Sequence, residues 1–142
     1  NNLYDIARIG IGLYGYLDIE EATNLVEPIL SFHATKISTR VLNIGDKINY
    51  GATYTVKNDN FVVSNYDVGY GDGFFRLNER KKALTLDNKE ILGRVSMDSL
   101  SIQGDDDTIC LFNDARELAR IHDTIHYEIL TNIHEDVPKY II

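Results

Sequence analysis

Three stretches of this 142-residue chain carry residue types suited to chemistry. Arg8-Ile9-Gly10-Ile11-Gly12-Leu13-Tyr14-Gly15 sets a guanidinium ahead of glycines whose backbone N–H groups come within reach of an anion, as in phosphate-binding turns. Ile48-Asn49-Tyr50-Gly51-Ala52-Thr53-Tyr54-Thr55 offers a phenol. On its pattern it is a strand within Lys47 to Val56, with Ile48, Tyr50 and Ala52 on one face and Asn49 on the other. Val68-Gly69-Tyr70-Gly71-Asp72-Gly73 is a backbone feature, whose glycines permit positive φ and close approach to another chain or a ligand. Each stretch also has an ordinary reading: a plain glycine-rich turn, a cross-strand tyrosine, a tight loop. A fourth, Gly104-Asp105-Asp106-Asp107, has the charge of a metal loop but lacks the regular oxygen-ligand spacing of a calcium site. It reads as a solvated turn, and no metal is expected.

The elements that must position these residues are mostly strands. Leu30, Phe32 and Ala34 alternate with Ser31, His33 and Thr35, so Ile29 to Ile44 reads as a long strand ended by the turn Asn43-Ile44-Gly45-Asp46. After the Tyr50 strand, Lys57-Asn58-Asp59-Asn60 turns the chain into a strand from Phe61 to Asp67. Beyond the glycine loop, Phe74 to Lys82 reads as a short helix or basic loop. Ala83 to Leu86 and Glu90 to Val95 read as one hairpin, Ser99 to Ile102 and Thr108 to Phe112 as a second over the acidic loop. Asp114 and Glu117 have capping-box spacing at the start of a short helix ending at Ile121, Thr124 caps another from Ile125 to Asn132, and Tyr140-Ile141-Ile142 is an edge strand. The expected fold is mainly β, an antiparallel barrel-like domain with one or two short helices.

A net charge of −8, from 22 acidic and 14 basic residues, repels phosphate backbones, so nucleic acid is a poor partner. No apolar run approaches the length of a membrane span. The lone cysteine, Cys110, lies in the apolar run Thr108 to Phe112 and reads as a small buried hydrophobe in a cytoplasmic protein. The first residues show neither an initiator methionine nor a signal peptide, which suggests a piece of something longer.

Taken in order, Tyr50-Gly51-Ala52-Thr53-Tyr54, Val68 to Gly73, Gly93-Arg94-Val95-Ser96-Met97-Asp98 and Tyr127-Glu128, with Arg8 to Gly15 ahead of them, resemble motifs of the alanine racemase family, which uses pyridoxal 5'-phosphate (PLP). The resemblance runs from about Tyr4 to the last residue. It implies that residues 1–20 end an N-terminal (β/α)8 barrel and that residues 21–142 form the family's C-terminal β-domain. It implies interconversion of L- and D-alanine for peptidoglycan synthesis, with two bases on opposite faces of the substrate. One is the cofactor lysine on the barrel; the other is the tyrosine matched by Tyr50. A phenol titrates ordinarily near pH ~10, so this role needs positive charge or hydrogen bonds that favour phenolate. Arg8 matches the arginine facing the cofactor's ring nitrogen, which it keeps unprotonated because a guanidinium holds its protons. Gly10 and Ile11 match N–H donors to the phosphate, with the Tyr127 hydroxyl as another. Met97 matches a residue whose main chain helps hold the substrate carboxylate across a dimer interface, and Tyr70, Arg76 and Arg94 match residues lining the substrate entrance corridor.

Gly71 stands where the family's motif commonly has alanine. The lysines, such as Lys36 and Lys47, match no cofactor lysine, so the chain alone is expected to be inactive. Tyr50 and Met97 would serve the partner subunit's cofactor and Arg8 and Tyr127 the chain's own, which implies a homodimer. The alternatives are a broad-specificity amino-acid racemase, a decarboxylase of the same architecture, disfavoured by Tyr50 together with Gly93 to Asp98, and a noncatalytic β-barrel binding module.

Overall fold

The computed structural model describes residues 6, 8–17, 19, 24–76 and 84–141. The chain divides into two compact units, Asn1–Leu30 and Ser31–Ile142, and the boundary expected after residue 20 falls inside the first. In that unit a 3-10 turn over Ile11–Tyr14 closes on Gly15, whose φ of 84° is left-handed. A Cβ on Gly15 would lie 1.6 Å from the Glu27 carbonyl oxygen, so no other residue fits there. Next to it, Ile29 N–H donates to the Tyr14 carbonyl at 3.3 Å.

The second unit is built on strands β1 (Phe32–Leu42), β2 (Lys47–Ile48), β3 (Tyr54–Thr55), β4 (Phe61–Tyr66), β5 (Leu100–Gln103) and β6 (Thr108–Phe112), followed by helices α1 (Ala115–His122) and α2 (His126–Asn132). Four strands form an antiparallel sheet in the order β5-β4-β1-β6, curled into a half-barrel, while β2 and β3 pair apart from it. β1 is long enough to serve two neighbours in turn. Its first half pairs with β6, as Ala34 opposite Ile109, and its second half with β4, as Arg40 opposite Val63, with an irregularity between Lys36 and Ser38 where the partner changes.

A first core lies where the β2–β3 pair meets β4: Ile48, Val56, Phe61, Val63 and Leu92 pack together, with Leu42 and Tyr54 against them and Tyr54 stacked on Phe61 at 6.2 Å. Burying each such side chain stabilises the fold by roughly 1.5–3 kcal/mol. Phe32 meets Phe112 edge-on at 5.8 Å and Phe74 at 6.4 Å. α1 buries Ala115, Leu118 and Ala119, positions that share one helical face, and α2 buries Ile129 and Leu130. Asp114 caps α1 by accepting from Arg116 N–H at 2.9 Å. Among the described residues no helix is long and apolar enough to cross a membrane.

Several expected elements come out differently. β5 and β6 do not form a hairpin: they lie at opposite ends of the sheet order, β5 on β4 and β6 on β1. The acidic loop between them is tied across both central strands. Gly104 N–H donates to the Val62 carbonyl at 3.1 Å and its own carbonyl accepts from Ser64 Oγ at 2.7 Å. Tyr66 Oη donates to the Asp106 carbonyl at 2.9 Å, and Lys36 Nζ lies 2.8 Å from both Asp105 and Asp107. Lys89 pairs with Asp106. The loop is therefore a solvent-exposed turn, as expected, whose carboxylates are also ion-paired to Lys36 and Lys89. Its hydrogen bonds to the carboxylates raise the Lys36 ammonium above its usual range, and Lys36 and Lys89 hold Asp105 and Asp106 below theirs. Burial raises the Tyr66 phenol, with the Asp106 charge adding to it.

The expected hairpin from Ala83 to Val95 reduces to a bridge between Leu84 and Glu90, closed by Thr85 N–H to the Lys89 carbonyl at 2.9 Å; Ile91 instead pairs with Ile102 of β5. Tyr140 and Ile141 form no strand with any described residue and are exposed. The helix or loop expected from Phe74 to Lys82 lies mostly outside the described residues. Cys110, on β6, is half-buried, and burial raises its thiol.

Candidate functional site

The chain around Tyr50 is not one strand. β2 and β3 are two residues each, and the segment between them is a turn in which Ala52 N–H donates to the Asn49 carbonyl at 3.0 Å. Tyr50 and Gly51 are its central residues. Gly51 has φ 79°, the left-handed conformation a type II turn requires at its third position. Asn49 and Ala52 on either side are left-handed as well, at φ 65° and 54°. The alternation of Ile48, Tyr50 and Ala52 mimics a strand, but positive φ at 49, 51 and 52 ends the pleat at Ile48. Tyr50 consequently stands at the tip of a turn and is 80% exposed.

What holds this turn is the segment Gly93 to Asp98. Gly93 is left-handed at φ 70°, and a Cβ there would sit 2.9 Å from Thr53 Oγ1 and 3.4 Å from Asn49 Cβ. Arg94 N–H donates to Thr53 Oγ1 at 3.1 Å, and the Asn49 side-chain amide donates to the Leu92 carbonyl. Arg94 Nη1 lies 3.8 Å from where a Cβ on Gly51 would be, which puts its guanidinium beside the Tyr50 turn.

The other end of the same segment carries the glycine loop. Ser96 and Ser99 close a turn, with Ser96 N–H donating to the Ser99 carbonyl at 2.9 Å, and Met97 sits at its tip, exposed. Against it lies a 3-10 turn over Tyr70–Asp72. Tyr70 N–H donates to the Ser96 carbonyl at 3.0 Å and Gly71 N–H to the Met97 carbonyl at 2.8 Å. The Asp72 carboxylate accepts from Gly69 N–H at 2.8 Å and closes the loop on itself. On its far side the loop meets the end of α2: a Cβ on Gly73 would lie 1.9 Å from the Asn132 carbonyl oxygen, and His134 N–H donates to the Asp72 carbonyl at 3.1 Å.

Segment 93–98 thus joins Tyr50, Arg94, Met97 and Tyr70 into one connected framework. Arg76 lies 6.0 Å from the Tyr70 ring as a cation over its face. Tyr127 is in the first turn of α2, partly exposed. Arg8, Gly10 and Ile11 belong to the first unit, where Gly10 is exposed and Ile11 opens the 3-10 turn.

A family model described as the alanine racemase C-terminal domain matches residues 29–141. The chain belongs to that family. The alanine racemase of a Nitratiruptor species is 40% identical over 131 residues, 91% of this chain and 38% of that protein. Alanine racemase of Clostridium difficile 630 superposes with a TM-score of 0.77 at 26% identity, over 90% of this chain and 37% of that one. The Bacillus anthracis alanine racemase with bound L-Ala-P does so with a TM-score of 0.73 at 29% identity, over 89% of this chain and 37% of that one. This chain spans about two fifths of the length of the relatives it matches. The mainly β half-barrel with two short helices is the fold of the solved alanine racemase C-terminal domains.

Within this alanine racemase domain, residue-type reasoning passed over the groups that hold the site: Asn49, Thr53, Ser96 and Ser101. The signal available was glycine: Gly69, Gly71 and Gly73 mark close backbone approach and Gly51 and Gly93 positive φ, but nothing local says which segment approaches which.

Proposed function

We propose that this chain is the C-terminal domain of a PLP-dependent alanine racemase that interconverts L- and D-alanine, with Tyr50 as one of its two bases. The observation that carries the reading is Tyr50 itself, 80% exposed at the tip of a turn whose flanking residues Asn49 and Thr53 are tied to Leu92 and Arg94. A tyrosine so placed packs no core and is free to meet a substrate. In the same reading D-alanine supplies peptidoglycan, the enzyme is a cytoplasmic homodimer, and residues 1–20 end the N-terminal barrel.

The residues fit the cofactor. Gly10 and Ile11 head a 3-10 turn whose first internal bond is made only by Leu13 N–H, 3.1 Å from the Gly10 carbonyl, and a Cβ on Gly10 would meet nothing within 4 Å. An anion can therefore approach these N–H groups. When bound, pyridoxal phosphate supplies the electron sink that makes the substrate Cα–H acidic. Arg8 would hold the ring nitrogen, and Gly10 N–H, Ile11 N–H and the Tyr127 hydroxyl the phosphate. Tyr50 Oη would remove or return the Cα proton on one face of alanine. Met97 N–H would meet the substrate carboxylate, its carbonyl being engaged by Gly71. Tyr70, Arg76 and Arg94 would narrow the entrance for a small zwitterion. The second base, a lysine of the barrel, is outside this chain, so the chain alone would be inactive.

The test is Tyr50→Phe in the full-length protein with its cofactor. A racemisation has an equilibrium constant of one, so kcat/KM must stay equal in the two directions whatever the mutation. The informative quantity is α-proton exchange with solvent from each enantiomer. Loss of one base lowers exchange from one enantiomer by about a hundredfold or more and leaves the other within a few fold. Equal exchange from both would overturn the assignment, and comparable turnover of larger amino acids would favour the broad-specificity reading.

A further inference from the structure

Three residues in the Tyr50 turn adopt left-handed backbone, and two of them, Asn49 and Ala52, carry a Cβ. Such conformations persist only where the surroundings over-determine them. The surroundings here include a buried polar group. Leu100, Ser101 and Ile102 of β5 are all 0% exposed, and Ser101, on the opposite face from its neighbours, is the polar one. Its Oγ lies 2.7 Å from Asn49 Oδ1 and 2.7 Å from Asn65 Oδ1. One hydroxyl carries one proton. With the Asn49 N–H2 group donating to the Leu92 carbonyl, Asn49 Oδ1 is held toward Ser101 and shares its proton with Asn65 Oδ1, whose own N–H2 lies 3.5 Å from Ser38 Oγ.

We propose that Ser101 and Asn49 are positioning residues for Tyr50: the hydrogen bonds from Ser101 to Asn49 and from Asn49 to the Leu92 carbonyl lock the residue preceding Tyr50 in left-handed backbone and so aim the phenol. The role fits the chemistry of the groups. Asn tolerates positive φ better than other residues with a Cβ, and its amide uses both ends at once, one toward β5 and one toward the Leu92 peptide. Such a part-buried hydrogen-bond chain fixes geometry rather than adding bulk stability. It also works on β5, 52 residues away in sequence, which makes the aim of Tyr50 a property of the assembled sheet.

This inference rests on Tyr50 being a base, and the experiment separates the two. Ser101→Ala and Asn49→Gly are compared with Tyr50→Phe in the full-length protein. Ala keeps the volume of Ser101 without its proton, and Gly keeps positive φ at 49 without the amide. The first readout needs no cofactor: backbone amide exchange followed by mass spectrometry. Both positioning variants should speed exchange over residues 48–55 by about tenfold or more while β4 stays protected. In the loaded enzyme both should lower kcat by about tenfold to a hundredfold with KM within about twofold, and should weaken α-proton exchange from the same enantiomer that Tyr50→Phe affects. Ser101→Thr, which restores a hydroxyl, should recover part of the loss. Unchanged kcat in Ser101→Ala and Asn49→Gly, or an equal loss of exchange from both enantiomers, overturns the positioning role while Tyr50 stands. Symmetric exchange in Tyr50→Phe overturns the base assignment and this role with it.

Discussion

The backbone of Gly69 lies directly on that of Met97: a Cβ on Gly69 would be 2.3 Å from both the Met97 carbonyl carbon and its oxygen. With Gly71 N–H bonded to the same carbonyl, two chain segments touch at the one residue proposed to meet the substrate carboxylate. Gly69→Ala must push these backbones apart. It should destabilise the protein by about 1–3 kcal/mol, measured by urea unfolding. It should also raise KM for alanine more than it lowers kcat.

Thr53→Val removes the oxygen that accepts from Arg94 N–H while keeping the shape of the side chain. Loss of this half-buried bond should cost about 1–3 kcal/mol. Amide exchange at Arg94 should accelerate, whereas loss of stability with Arg94 still protected would mean that packing alone, not this bond, holds the joint.

The acidic loop gives a pH dependence of definite sign. Asp105 and Asp106 titrate below their ordinary 3.8, so the stabilisation they give is complete above that value and is lost as pH falls through the lowered ones. Lys36 is raised above its ordinary 10.5, so its contribution holds below that pH and is lost only as pH rises through the raised value. Urea midpoints should therefore fall as the pH drops below about 4. The Asp105→Asn, Asp106→Asn double variant should start lower and vary less over the same acid range.

Asp114→Ala takes the cap from α1, removing the carboxylate that accepts from Arg116 N–H. The expected loss is about 1 kcal/mol by thermal or urea unfolding, and Asp114→Asn should recover most of it. Equal losses for Ala and Asn would show that the charge facing Arg116, 3.0 Å away, matters more than the cap.

How much of this was readable beforehand depends on the range of the interaction. β1, β4 and α1 declare themselves because alternation over Phe32 to Thr35, the run Phe61 to Tyr66 and the Asp114 cap are each settled within a few residues. The Tyr50 segment deceives for the same reason. Ile48, Tyr50 and Ala52 satisfy a period of two, and the left-handed residues among them are set by Gly93 and Leu92, more than forty positions away. The β5 and β6 pair deceives in the same manner, since a short polar loop between two strands looks like a hairpin until Ser64, Tyr66 and Lys36 hold that loop across the sheet.

Residue types in order were enough for the family and the mainly β composition. Those are facts about which groups are present. Where they point was decided by contacts that close only in the folded sheet: Asn49 on Ser101, Gly69 on Met97, Gly73 on Asn132. Hydrogen bonds and steric contact act over a few ångströms, so a pair separated by 52 residues in the chain has no energetic relation until β5 has docked on β4. The phenol of Tyr50 is written in the chain; its exposure at the tip of a rigid turn exists only after that docking.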